Sequence, residues 1–210
     1  CFWIILWRRS GKHSVFSFFS SDDGLNNTLN DVYQSDCSCS GDLVPTGPAG
    51  LDYEVYTTSE YGTTYRVFAT FDAPTNELIA IYGTEAAPLS IATTTSFFNS
   101  TLGANFGEGI NPLFFSAFPE VEFDSWFTIG SFDNTGSGGV NSVGMESYFT
   151  AFNAGNGFTI DTFVGGSWFV VPGASADAIS SEDNRVLVAQ LTTDGVVSLT
   201  MNFQYDDLEG

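Results

Sequence analysis

The chain has 210 residues, 43% of them apolar and 16% aromatic, with 5 Lys+Arg against 25 Asp+Glu and a formal net charge of −20. That length supports one full hydrophobic core with extensions, and the acidity excludes binding to a phosphate backbone, which needs clustered Lys and Arg. Abundant Phe, Thr, Ser and Gly with almost no Lys favour strands and turns over helices, so the expected fold is all-β.

Residues 1–19 form an arm unlike the rest. It opens with the apolar run Phe2, Trp3, Ile4, Ile5, Leu6, Trp7, continues with Arg8, Arg9 and Lys12, and ends with Val15, Phe16, Phe18 and Phe19. The first twenty residues contain three bases and no acid, a net of +3. The remainder holds two bases and 25 acids, a net of −23. As a strand, the run places Phe2, Ile4 and Leu6 on one side and Trp3, Ile5 and Trp7 on the other. It is far shorter than the roughly 20 residues of a membrane span, and its bases follow the apolar run, the reverse of a secretion signal. A greasy, basic strand tethered to an acidic body suits docking on another copy of that body. In this reading the apolar side chains form a donor strand and Arg8, Arg9 and Lys12 steer it.

Residues 20–50 are rich in Ser, Asp, Asn and Gly and read as a polar linker. About 30 extended residues reach roughly 100 Å, well past a body about 40 Å across. The segment carries the sequon at Asn26 and the pair Cys37 and Cys39. Cys-x-Cys alone falls short of a zinc site, and a bridge between the two would close a strained ring. In a secreted protein either could instead bond Cys1, in the same chain or in a neighbour.

Residues 51–210 read as the body. Thr63–Phe71 alternates, placing Tyr65, Val67, Ala69 and Phe71 on one face, and Asp72-Ala73-Pro74 ends it. Strands are expected over 77–83 and 88–98. Residues 99–119 are irregular around Leu113–Phe118, a buried loop or short helix, and include the sequon at Asn99. Val121–Gly130 is expected to be a strand with Val121, Phe123, Phe127 and Ile129 on one face. Further strands are expected near 145–152, 157–164 and 167–171. Val186–Gln204 reads as two alternating runs joined by Asp194-Gly195, a type I′ hairpin signal pairing Val186 with Phe203, Val188 with Met201 and Gln190 with Leu199. Leu187, Ala189 and Leu191 make the first run apolar on both sides, so something should cover its outer face. Together these strands predict an Ig-like or Greek-key β-sandwich with an N-terminal extended donor strand.

Catalytic, cofactor and metal residues are not nominated. The single histidine, His13, lies in the arm, which excludes a His-dependent triad on the body. Asp22-Asp23, Glu182-Asp183 and Asp206-Asp207 lack the spaced pattern of a calcium loop and read as solvated acids. No motif singles out one carboxylate pair for glycoside hydrolysis.

The blocks YRVFATFDAPTNELIAIYG, PLSIATTTSFF, INPLFFSAFP, EFDSWFTIG, RVLVAQLTTDG and SLTMNFQ resemble a recurring pattern in uncharacterised secreted proteins of aquatic microbes. Asp124–Gly130 is the most specific piece. The resemblance implies an extracellular β-sandwich and carries over no catalytic residue. The arm–linker–sandwich plan resembles donor-strand-exchange fibre subunits such as bacterial pilins, although their donor strands are usually less basic. The expected function is a structural subunit of an extracellular filament, its partners other copies of itself, with attached or bound glycans. The alternative is a secreted carbohydrate-binding or adhesin module gripping glycans with Trp126 or Trp168. A carbohydrate-active enzyme comes third.

Overall fold

A computed structural model describes residues 7–8, 12–17, 28–33, 39–43 and 49–207, with side chains from Ala49 to Asp206. In chain order the elements are β1 (Trp7–Arg8), β2 (Lys12–Ser17), β3 (Thr28–Tyr33), β4 (Cys39–Leu43), β5 (Ala49–Ser59), β6 (Gly62–Phe71), β7 (Asn76–Gly83), β8 (Leu89–Thr93), β9 (Trp126–Phe127) and β10 (Asn141–Val143). They continue with α1 (Glu146–Asn153), β11 (Phe158–Ile160), β12 (Gly166–Phe169), β13 (Arg185–Thr193) and β14 (Val197–Asp207). One sheet runs β1-β2-β14-β7-β12-β10, with β8 also on β14 and β11 on β8; the second runs β5-β6-β13-β9. Pairing between these strands is antiparallel throughout.

The inner faces of the two sheets share one core. Val67, Ala69 and Phe71 from β6 meet Leu199, Met201 and Phe203 from β14, together with Ile81, Ile91, Phe127 and Trp168. Period-2 alternation produces this directly, because one face of each strand is apolar. Tyr65 packs against the same core, so the expected face of β6 holds. The outer face of the second sheet is covered as well: Phe68 and Leu187 pack with Ile110 and Val121 from the long 94–125 connection and with Trp126 of β9. That cover lies over Leu187 of β13, whereas Ala189 and Leu191 pack in the main core beyond a register shift that follows Leu187.

Several expectations are corrected. Asp194-Gly195 does not close a hairpin. β13 pairs with β6 and β9 in one sheet, while β14 pairs with β2, β7 and β8 in the other. The turn is a corner between sheets, and Gly195 is not among the glycines with positive φ. Two alternating runs joined by Asp-Gly look alike whether the strands pair side by side or face each other across a core. Residues 146–153 are helical rather than extended. Met145, Phe149 and Phe152 are 0%, 7% and 0% exposed, at i, i+4 and i+7, which is helical spacing. Val121–Gly130 is not one strand: Pro119–Phe123 forms a 3₁₀ turn and only Trp126–Phe127 is extended. Leu113–Phe118 is not buried, with Leu113 82% exposed. Within the expected linker, β3 and β4 pair antiparallel, Thr28 with Leu43 and Tyr33 with Cys39.

β7 and β8 lie end to end along the same edge of β14, which positions the site below. Asp207 to Asn202 pairs with β7, and Thr200 to Val197 pairs with β8. The five residues between these strands loop out and are held by Asn202. Its Nδ2 donates to Tyr82 O (2.9 Å), Ala87 O (2.8 Å) and Pro88 O (3.1 Å).

Candidate functional site

With β7 and β8 on one edge of β14, the other edge between Ser198 and Phe203 is met by β2 of the arm. The register sets Ser17 opposite Ser198, Phe16 opposite Leu199, Val15 opposite Thr200, Ser14 opposite Met201, His13 opposite Asn202 and Lys12 opposite Phe203. β1 then adds to β2, Trp7 opposite His13 and Arg8 opposite Lys12. Leu199, Met201 and Phe203 are 0%, 0% and 1% exposed, so the edge belongs to the centre of the core. Six residues of main chain along that edge take their partner strand from the basic arm. Left bare, they would present unpaired N–H and C=O groups beside a buried apolar face.

The structure brings some expected arm residues to this edge. Lys12, Val15 and Phe16 lie in β2, and Trp7 and Arg8 in β1. Phe2, Trp3, Ile4, Ile5, Leu6, Arg9, Phe18 and Phe19 lie outside the described residues, as do Cys1, Cys37 and Asn26. Cys39 begins β4, opposite Tyr33.

Both bases of the body are already engaged. The Arg185 side chain reaches Asp183 (3.1 Å), Asp52 (3.4 Å) and Glu54 (3.8 Å) and lies 4.2 Å over the Phe68 ring. Hydrogen bonding from Ser181 and Arg185 holds the Asp183 carboxyl below its usual range. Arg66 sits 3.7 Å over Tyr56 and 5.0 Å over Phe132, and its Nε donates to Gln190 Oε1 at 3.3 Å. The Tyr56 hydroxyl donates to Glu122 at 2.7 Å, which raises its pKa. These cations are spent locally, so the body's field remains strongly negative for an approaching basic arm.

Asp124 is a buried carboxylate that sequence reasoning did not single out. Its Oδ1 accepts from Ser100 N (2.7 Å) and its Oδ2 from Ala104 N (2.9 Å), and burial pushes its pKa up to about 6. It ties together Ser100 and Ala104 at the start of the covering loop, so it acts as a pin. Beside it, Gln190 Nε2 donates to Glu122 O (3.0 Å) and Asp124 O (2.9 Å). Among the described residues, no three His, Cys, Asp or Glu side chains gather as metal ligands.

Trp126 and Trp168 are 2% and 0% exposed, so neither is the surface platform the adhesin alternative assigned to them. Trp126 fills an interior that alternation over Val121–Gly130 would leave on an outer face, and Trp168 lies on the inner face of β12, in the main core. Asn99 is half-buried, and its Nδ2 donates to Phe152 O at 2.8 Å. A depression of about 510 Å³ is lined by Phe68, Phe132, Asp133, Asp177, Asp183 and Arg185. Its Asp177 and Asp183 are braced internally by Ser131, Ser137, Ser181 and Arg185.

No family model, no curated protein and no solved structure matches the chain.

Proposed function

We propose that the chain is a structural subunit of an extracellular filament, an Ig-like sandwich that polymerises by donating its N-terminal strand to a neighbour. One observation carries the reading: the edge of β14 between Ser198 and Phe203 is completed by the arm and, among the described residues, by no strand of the acidic body. In the single chain that partner comes from its own arm. Residues 18–48 connect β2 to β5, and a connection of that length lets the same strand seat on a second copy. Exchange then conserves every main-chain bond of the edge while linking bodies head to tail, and a head-to-tail contact that does not close builds a fibre.

The charge division supports the same reading. An arm of +3 approaching a linker and body that together carry −23 is steered and oriented by the field. Assembly should therefore slow as salt approaches 1 M, where screening shortens to about 3 Å, while formed fibres persist on buried contacts.

The test is removal of residues 1–19, followed by negative-stain microscopy and size-exclusion chromatography. The truncated body should form no fibres and melt at lower temperature, and a peptide of residues 2–19 should restore the melting temperature without restoring fibres. Fibres formed equally well without the arm would reject strand donation.

A further inference from the structure

At the end of the sandwich where Asp194 turns the chain from one sheet to the other, four segments distant in sequence converge. The β5–β6 turn brings Tyr61, the 94–99 loop brings Ser96, Phe98 and Asn99, the end of α1 brings Asn153, and the corner brings Asp194. They enclose an open cleft of about 390 Å³. Backbone bonds lock the segments together: Phe97 N donates to Gly155 O (2.9 Å) and Phe98 N to Thr192 O (2.8 Å). Gly62, at φ +115°, packs so closely on Thr193 and Asp194 that a side chain there would strike their backbone. The cleft is therefore pre-formed rather than assembled on demand.

Its chemistry is specific. Tyr61 and Phe98 stack at 4.0 Å between ring centroids and form an aromatic wall. The polar groups have spent one atom each on the fold. Asn99 Nδ2 donates to Phe152 O (2.8 Å), Asn153 Nδ2 to Asn105 Oδ1 (2.9 Å), and Asp194 Oδ1 accepts from Thr95 (2.6 Å). Among the described residues, Asn99 Oδ1, Asn153 Oδ1, Asp194 Oδ2 and the Tyr61 hydroxyl make no hydrogen bond, which leaves the cleft rich in acceptors, one of them a carboxylate. A ligand that fits must present several O–H donors and an apolar ring face, and must not be an anion.

We propose that this cleft binds a neutral oligosaccharide, its ring against the Tyr61–Phe98 wall and its vicinal hydroxyls donating to Asn99, Asn153 and Asp194. Asn99 then binds through Oδ1, the side chain being oriented by the bond from its Nδ2 to Phe152 O. None of the residues lining the cleft belongs to the β14–β2 register.

The test is retention of the full chain on immobilised maltohexaose, cellohexaose, mannohexaose and xylohexaose, with hexagalacturonate as the anionic probe. At least one neutral probe should retain the protein and be competed by the same free sugar, and hexagalacturonate should not. Asn153→Ala and the cleft-filling Ser96→Trp should each weaken retention at least tenfold, and Ser96→Trp should leave the melting temperature unchanged, since Ser96 is exposed. No retention on any neutral probe would overturn the proposal. So would retention unaffected by both variants, or retention abolished by salt but not by free sugar, which would mark the acidic protein held by the matrix through charge. Fibre formation, followed in parallel, should be the same in both variants, so the two readings fail separately.

Discussion

Gly103 lies against the buried carboxylate of Asp124 so closely that any side chain at that position would strike it. The contact closes the loop that Asp124 holds through Ser100 N and Ala104 N, and that loop leads into the residues covering the outer face of β6 and β13. Gly103→Ala should cost about 1–3 kcal/mol, the scale of overpacking in a tight site, measured by urea unfolding.

Asp124 also predicts a pH dependence. Its pKa is raised from 3.8 to about 6 in the folded chain, so between these values the native state holds a proton that the unfolded chain has released. Its contribution to stability is then fully present below about pH 4 and is lost as the pH rises through about 6. Asp124→Asn removes the titration. The stability of the parent relative to this variant should therefore fall by up to about 3 kcal/mol from pH 4 to pH 7. A constant difference, or one that grows with pH, would show that burial does not dominate at this carboxyl.

Gln190 is 2% exposed and binds three groups at once: Glu122 O, Asp124 O and Arg66 Nε. Gln190→Leu keeps the apolar volume but leaves the buried Asp124 carbonyl and the part-buried Glu122 carbonyl without this donor, which should cost about 2–4 kcal/mol. Unfolding midpoints in urea measure it. A loss below about 1 kcal/mol would mean water takes over both carbonyls.

What the sequence revealed follows from where its signals were local. β6 was legible because Val67, Ala69 and Phe71 alternate in one strand, and the need for a cover over Leu187 followed from β13 being apolar on both sides. α1 was missed because its helical signal rests on only Met145, Phe149 and Phe152, embedded among β-forming aromatics. The β13–β14 corner was misread because alternation specifies faces and not partners. The pairing of β2 with β14 joins residues more than 180 positions apart, and its register depends on both strands together. The cleft was invisible for the same reason, being built from Tyr61, Asn99, Asn153 and Asp194.

Gly195 gives that corner a test of its own. A side chain there would press on the hydroxyls of Thr93, Thr94 and Thr95. These groups are committed: Thr93 and Thr95 bond Thr193, Thr95 also bonds Asp194, and Thr94 accepts from Val196 N. Gly195→Ala should therefore destabilise by about 1–3 kcal/mol through crowding alone, without any demand for positive φ. An unchanged urea midpoint would show that the threonines yield freely.

The register of β2 on β14 allows the decisive measurement. Val15 lies directly opposite Thr200, and residues facing each other in an antiparallel pair have Cα atoms about 4.5–5.5 Å apart, within disulfide range. With Cys1, Cys37 and Cys39 replaced by Ser, the single variants Val15→Cys and Thr200→Cys are unfolded together, refolded as a mixture and oxidised. Strand donation predicts a cross-linked pair of chains in the mixture, and a ladder of covalent multimers when both cysteines occupy one chain. Dilution before oxidation should leave the ladder intact once fibres have formed, because the donated strand is already seated. A double variant that yields only an internally bridged monomer, beside a mixture that never cross-links, would place the arm permanently on its own body and end the filament reading.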